Sequence, residues 1–147
     1  MRALKTVSKR QVFSMRIKCR SISRGAAEGE VLLTHDAISF LGNVDPKTGI
    51  IEEPQHELYG KYIKDKVLVF PHGKGSTVGS YVLYQLIKNG VAPAAMINAE
   101  SEPIVAVGAI ISGIPLVDKM EHDPFDILKD GDTVKVDATE GFVETTD

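Results

Sequence analysis

Residues 67–80 read Val-Leu-Val-Phe-Pro-His-Gly-Lys-Gly-Ser-Thr-Val-Gly-Ser, a stretch that suits a strand, a tight turn and a helix in that order. Four apolar residues in a row fit a strand buried on both faces. Pro71, Gly73 and Gly75 then break it. A helical pattern runs over 78–88 and stops at Asn89-Gly90. The turn therefore carries Lys74, Ser76 and Thr77 to a helix start, where amide N–H groups lack intrahelical partners and the helix dipole favours negative charge. A small anion, or a deprotonated hydroxyl, would be stabilised there.

The familiar phosphate motifs do not fit this loop. A P-loop needs Gly-Lys-Ser/Thr, but Gly75 follows Lys74, and Leu68 stands where the first glycine belongs. A dinucleotide fingerprint needs glycine where Val78 stands. No Gly-x-Ser-x-Gly elbow surrounds Ser76, and His35, His56, His72 and His122 are scattered, so nothing supports a hydrolase triad. His56 and His72 are expected to be structural histidines.

The pattern around the loop is β-α-β-α-β. Strand 67–70 and helix 78–88 are followed by an apolar strand over 94–98. A helix of small apolar residues over 103–112 begins at Pro103, and a strand lies within 113–117. Such alternation favours parallel strands with helices packed on them. Upstream, 16–23 alternates as one half-buried strand, 25–29 reads as a turn of small residues, and 30–34 and 37–40 read as strands. Residues 42–56 form a loop, with Asp45-Pro46 opening a turn. Downstream, 133–137 alternates as a strand after the turn 130–132, and Phe142-Val143 adds another. The expectation is an α/β domain over 15–147, a parallel β-α-β core with a β-rich first third. Residues 1–14 lack periodicity and are expected to be a disordered extension.

Composition narrows the function. At 147 residues and 43% hydrophobic, the chain can build one core. No apolar run approaches a membrane span, and a cytoplasmic location is expected. Eight of the 17 Lys and Arg fall in the first 24 residues, which hold no acid. The remainder has nine basic against all 20 acidic residues, a poor nucleic-acid binder. Cys19 is the single cysteine, too few for an iron–sulfur cluster held by this chain.

Several spaced motifs carry a resemblance. Gly73-Lys74-Gly75-Ser76 resembles the serine loop of the swivelling β/β/α domain of aconitase-type hydro-lyases. The segments 37–49 (Ala-Ile-Ser-Phe-Leu-Gly-Asn-Val-Asp-Pro-Lys-Thr-Gly), 66–71, 90–95 (Gly-Val-Ala-Pro-Ala-Ala) and 113–117 (Gly-Ile-Pro-Leu-Val) resemble, in the same order, the free-standing small subunits of the aconitase X family. The resemblance spans about 15–137 and is strongest to the archaeal branch. Bacterial members, which act on hydroxyproline, usually have cysteine after the serine, where this chain has Thr77.

The resemblance implies dehydration of (R)-5-phosphomevalonate to trans-anhydromevalonate 5-phosphate, on the way to isoprenoids, by a two-subunit lyase. It implies that Ser76 is the catalytic base, that Gly75 and Thr77 offer amides, and that a large subunit carries an iron–sulfur cluster. Lys74, Asn43, Asp45 and Arg24 are further candidates for substrate binding; Glu100 and Glu102 flank the next strand end. Two rivals stand beside this: the same scaffold acting on another hydroxy acid, and a non-catalytic carrier with His72 as phosphoryl acceptor.

Overall fold

The computed structural model describes residues 15–145; the extension expected over 1–14 lies outside the described residues. Eight strands form one sheet in the order β1-β8-β7-β3-β4-β5-β6-β2. They are β1 (Met15–Lys18), β2 (Arg20–Ser23), β3 (Ala26–Leu33), β4 (Val67–Phe70), β5 (Ala95–Asn98), β6 (Leu116–Asp118), β7 (Thr133–Asp137) and β8 (Phe142–Thr145). Besides a kinked turn over Phe40–Asn43, in which Leu41 and Gly42 are not helical, three helices accompany them: α1 (Gly79–Lys88), α2 (Pro103–Ser112) and the single turn α3 (Pro124–Ile127).

The two ends of that order, β1 and β2, are separated in the chain by Cys19 alone. Seven strand spacings of about 4.8 Å would put the edges of a flat sheet roughly 34 Å apart. One residue spans about 3.5 Å. The sheet must therefore curl until its edges meet. It does so as two layers sharing strands. The first half of β3 pairs antiparallel with β7 (Ala26↔Asp137 to Glu30↔Thr133), and the second half pairs parallel with β4 (Val31↔Val67 to Leu33↔Val69). Likewise β1 pairs with β8, while β2, continuing in the same direction, pairs antiparallel with β6.

Strand alternation then sorts the apolar residues into two cores. Val67, Val69, Ala95, Ile97 and Val117 point between the two β layers and meet Ile17, Val134, Val136 and Val143. Leu68, Phe70, Met96 and Leu116 point the other way and pack under Val82, Leu83, Leu86, Val105 and Ala109 of the helices. Strands covered on both faces have no polar side to show, which is why β4 is wholly apolar. The result is a β/β/α sandwich, the α/β class expected from the sequence.

Four expectations change in detail. The alternating stretch 16–23 is two strands, because its halves pair in different layers. The stretch read as a turn, 25–29, mostly belongs to β3. Its Gly29 is there for close packing, since a Cβ would lie 2.9 Å from the Asp65 carbonyl oxygen. In 37–40 only Ile38 pairs, bridging Gly73. The antiparallel layer is not confined to the first third, because β7 and β8 come from the tail. Among the described residues no helix is long and apolar enough to cross a membrane.

Candidate active site

The parallel strands β4, β5 and β6 end side by side, and the loops that leave them form one edge of the molecule. The β4–α1 loop is pinned at several points. The Pro71 carbonyl accepts from the amides of Ala99 (3.0 Å) and Glu100 (3.3 Å), tying it to the β5–α2 loop. Ile38 pairs with both sides of Gly73: its N–H donates to the His72 carbonyl (3.3 Å) and its carbonyl accepts from the Lys74 N–H (3.1 Å). Gly73 is buried, and a Cβ there would strike the Glu102 carboxylate and the Val105 side chain. Gly75 has φ +90°, and a Cβ would collide with the Ser39 hydroxyl. Both glycines of the tetrapeptide are thus demanded by close approach, the second by backbone geometry as well.

Ser76 is exposed at the end of this loop. Its Oγ accepts a hydrogen bond from the Val78 N–H (3.1 Å), and its carbonyl accepts from the Gly79 N–H (2.9 Å). The helix begins with no side-chain cap and no acid in its first turn. The amides of Gly75, Ser76 and Thr77 find no acceptor among the described residues. Three open N–H groups and one already aimed at Oγ make a local surplus of positive potential around a hydroxyl. Hydrogen bonds of this kind favour the charged form of the group that receives them.

Beside the loop lies a cleft of about 350 Å³ lined by Asp36, Ala37, Asn43, Glu53, His56 and Lys74. Lys74 is exposed at its edge. Asn43 faces the cleft and also works through Ser39: its Oδ1 accepts from the Ser39 N–H (2.8 Å), and Ser39 is the residue against which Gly75 packs. His56 is buried, its Nδ1 accepting from the Leu58 N–H (3.0 Å), so that Nε2–H donates to the Ala37 carbonyl (3.1 Å). It is a structural histidine. His72 is exposed and its Nδ1–H donates to the Gly73 carbonyl (2.7 Å). Next to His56 in the chain and outside the cleft lining, Glu57 accepts from the Thr34 hydroxyl (2.6 Å) and the His35 N–H (2.8 Å). The Thr34 hydrogen bond, followed by the His35 one, lowers its carboxyl pKa.

Two candidates are placed elsewhere. Asp45 is occupied within its own turn, its carboxylate accepting from the Lys47 N–H (2.9 Å) and the Thr48 hydroxyl (3.0 Å). Arg24 follows β2, which runs antiparallel to β6 with Ser23 opposite Leu116. Arg24 therefore stands at the entry end of the parallel strands, exposed, while Ser76 stands at the exit end. The structure does not bring it to the loop. Alternation along 16–23 could not show this, because it carries no information about which way the strand runs against its neighbour.

The arginine at the exit edge is Arg20, which the sequence reading passed over. Its Nε and one terminal nitrogen hold both oxygens of the fully buried Asp118 at 2.8 Å each. That hydrogen-bonded pairing raises the guanidinium pKa further. Asp118 also accepts from the Ser101 N–H (2.7 Å), the Ser101 hydroxyl reaches the fully buried Asn98 (3.1 Å), and Asn98 Nδ2 donates to the Phe70 carbonyl (3.1 Å). This chain of bonds stitches the ends of β4, β5, β6 and β2 together and fixes the 98–102 loop. The sequence did carry a signal: a polar residue, Asn98 or Asp118, closes each of two otherwise apolar strands.

Among the described residues no group of three His, Cys, Asp or Glu side chains is arranged to hold a metal ion. The Cys19 thiol is pushed up to about 11 by partial burial, with Asp118 and Asp137 adding to it. At neutral pH it is a protonated packing residue.

The family profile of the aconitase X swivel domain matches residues 16–145. The phosphomevalonate dehydratase small subunit of Methanococcoides burtonii is 70% identical over 134 residues, covering 91% of this chain and 98% of that protein. Its namesake from Archaeoglobus fulgidus is 54% identical over 130 residues, covering 88% and 98%. Among solved structures, holo aconitase X of Thermococcus kodakaraensis superposes with a TM-score of 0.85 at 51% identity, covering 90% of this chain and 99% of that one.

Proposed function

The chain belongs to the aconitase X swivel-domain family, and on that premise we propose that it works as the small subunit of a two-subunit hydro-lyase, with Ser76 as its general base. The substrate is (R)-5-phosphomevalonate and the product trans-anhydromevalonate 5-phosphate, as the name shared by relatives at 54–70% identity supports. One water is lost: a proton leaves the carbon beside the carboxylate and hydroxide leaves the neighbouring carbon. The observation that carries this chain's part is the uncapped start of α1, with Val78 N–H on Ser76 Oγ and the amides of Gly75, Ser76 and Thr77 open.

In this reading Ser76 Oγ takes the proton, and the Val78 N–H stabilises the alkoxide that does so. The open amides of Gly75 and Thr77 receive negative charge on the substrate. Lys74, at the cleft edge, faces the anionic substrate, and Asn43 keeps Ser39 against Gly75 so that the loop holds its shape. This chain's residues do not fit an iron–sulfur cluster, given one cysteine and, among the described residues, no ligand group. A cluster held by the larger partner subunit would supply Lewis-acid chemistry for the departing hydroxyl.

The test is turnover of 5-phosphomevalonate by the complex assembled anaerobically with the large subunit, wild type against Ser76→Ala. A loss of about 10³-fold in kcat is expected with assembly unchanged. An assembled Ser76→Ala complex of normal activity would end the general-base assignment.

A further inference from the structure

Helix α2 carries no charged residue in its ten positions. One side of it is core: Val105, Gly108 and Ala109 are buried. The opposite side is also apolar and stands open, with Val107 47%, Ile110 59% and Ile111 61% exposed. A surface helix ordinarily turns charges outward, and a contiguous exposed apolar face marks an interaction site.

The neighbouring helix start also exposes apolar side chains, Val78 at 49% and Tyr81 at 61%. The two helices approach closely at Gly108, where a Cβ would lie 3.0 Å from Ser80 Cα, so their outer sides join into one surface. That surface begins at the serine loop. A shallow apolar groove of about 180 Å³ between the two helix starts is lined by Thr77, Ser80, Pro103, Ile104 and Val107.

We propose that the apolar face of α1 and α2 is the surface that docks on the larger partner subunit and carries Ser76 to the partner's substrate. The inference rests on the reading of Ser76 given above. Continuity selects this occupant: Thr77 belongs both to the serine loop and to the groove, so whatever covers the groove also faces Ser76. A second copy of this chain seated there would close the loop against another small subunit and keep it from substrate.

Val107→Glu, Ile111→Lys and the double variant place charges at exposed positions, so the fold and its thermal midpoint are expected to persist. Affinity for the cluster-loaded large subunit of the same organism is measured by anaerobic calorimetry. The double variant is expected to bind about 100-fold more weakly, while Glu28→Lys on the antiparallel layer binds as wild type. Ser76→Ala is expected to bind normally and not turn over, which separates the two readings. Normal binding by the double variant overturns the docking surface whatever Ser76→Ala does. Weak binding by the double variant together with an active Ser76→Ala complex keeps the surface and removes the base. A chain that dimerises alone, and is split by the double substitution without losing the large subunit, assigns the face to self-association and overturns the proposal.

Discussion

Two helices start at the same edge of the sheet, one after β4 and one after β5, and they are finished in opposite ways. At α2, Pro103 sits in the first turn and Glu102 closes the end, its carboxylate accepting from the amides of Ile104 (2.8 Å) and Val105 (2.9 Å). At α1, no side chain caps the helix, no acid lies in its first turn, and the preceding amides stay open. The packed helix satisfies itself, and the helix behind the serine leaves its positive end for something from outside. The contact between them sharpens the contrast: Gly73 lies so close to Glu102 that the closed start supports the loop of the open one. An unsatisfied helix end costs stability, and leaving one beside an accessible hydroxyl is what a site for anionic chemistry requires.

Breaking the open start has the largest expected effect after removal of Ser76 itself. Gly75→Ala puts a Cβ on a left-handed backbone and into the Ser39 hydroxyl. The loop must shift, and activity of the assembled complex is expected to fall about 100-fold, since a small misplacement of reacting groups is costly. Folding stability is expected to drop by about 1–3 kcal/mol, read by urea denaturation.

Closing the open start is the sharper test. Thr77→Asp supplies the acid that α1 lacks, so stability is expected to rise by about 0.5 kcal/mol. Activity is expected to fall at least about 10-fold, because the carboxylate competes with substrate for the same amides. A variant that gains stability and keeps full activity contradicts the role given to those amides.

Opening the closed start should be a stability effect first. Glu102→Ala removes the cap of α2, at an expected cost of about 1 kcal/mol, or roughly 3–4 °C in Tm for a domain of this size. Activity is expected to change only as far as the Gly73 contact relaxes.

The smallest effect belongs to Glu57, beside His56 but outside the cleft lining. Glu57 has a folded pKa below its unfolded value, chiefly through the Thr34 hydroxyl. Its contribution is therefore present above the unfolded carboxyl range and is lost as pH falls through the folded pKa. Glu57 is about half exposed (48%) and screened, so Glu57→Gln is expected to cost no more than about 0.5 kcal/mol at pH 7. The difference from wild type should shrink in acid.

Much of this was legible before any coordinates. The helix 103–112 and the strand 133–137 match the observed bounds, because local signals coincide there: Pro103 at the start, Gly113 in the left-handed C-cap, strict alternation in 133–137. The serine loop was legible too, since Pro71 and Gly73 break the strand and Gly75 answers to its own left-handed backbone, although the contact of Gly73 with Glu102 and Val105 is tertiary. Harder to read were elements whose meaning depends on a distant partner. Residues 25–29 looked like a turn because small residues usually mark one, yet 26–29 belong to β3, where Gly29 makes a close approach to Asp65. Arg20, on the alternating stretch 16–23, and Arg24, just after it, look equivalent. Only the antiparallel pairing of β2 with β6 puts Arg20 at the site edge and Arg24 at the other end.

The strand–turn–helix around Ser76, the parallel alternation that follows it and the lack of a cluster's worth of cysteines can all be read from the chain without its fold. Local geometry and composition suffice for each. The tertiary structure decided the rest: the closure of the sheet through Cys19, the partners of Arg20 and Asp118, the support of Gly75 by Ser39, and the joining of two apolar helix faces beside the serine. Each of these is a contact between residues far apart in the chain. Periodicity tells which face of an element is buried, but not which other element buries it.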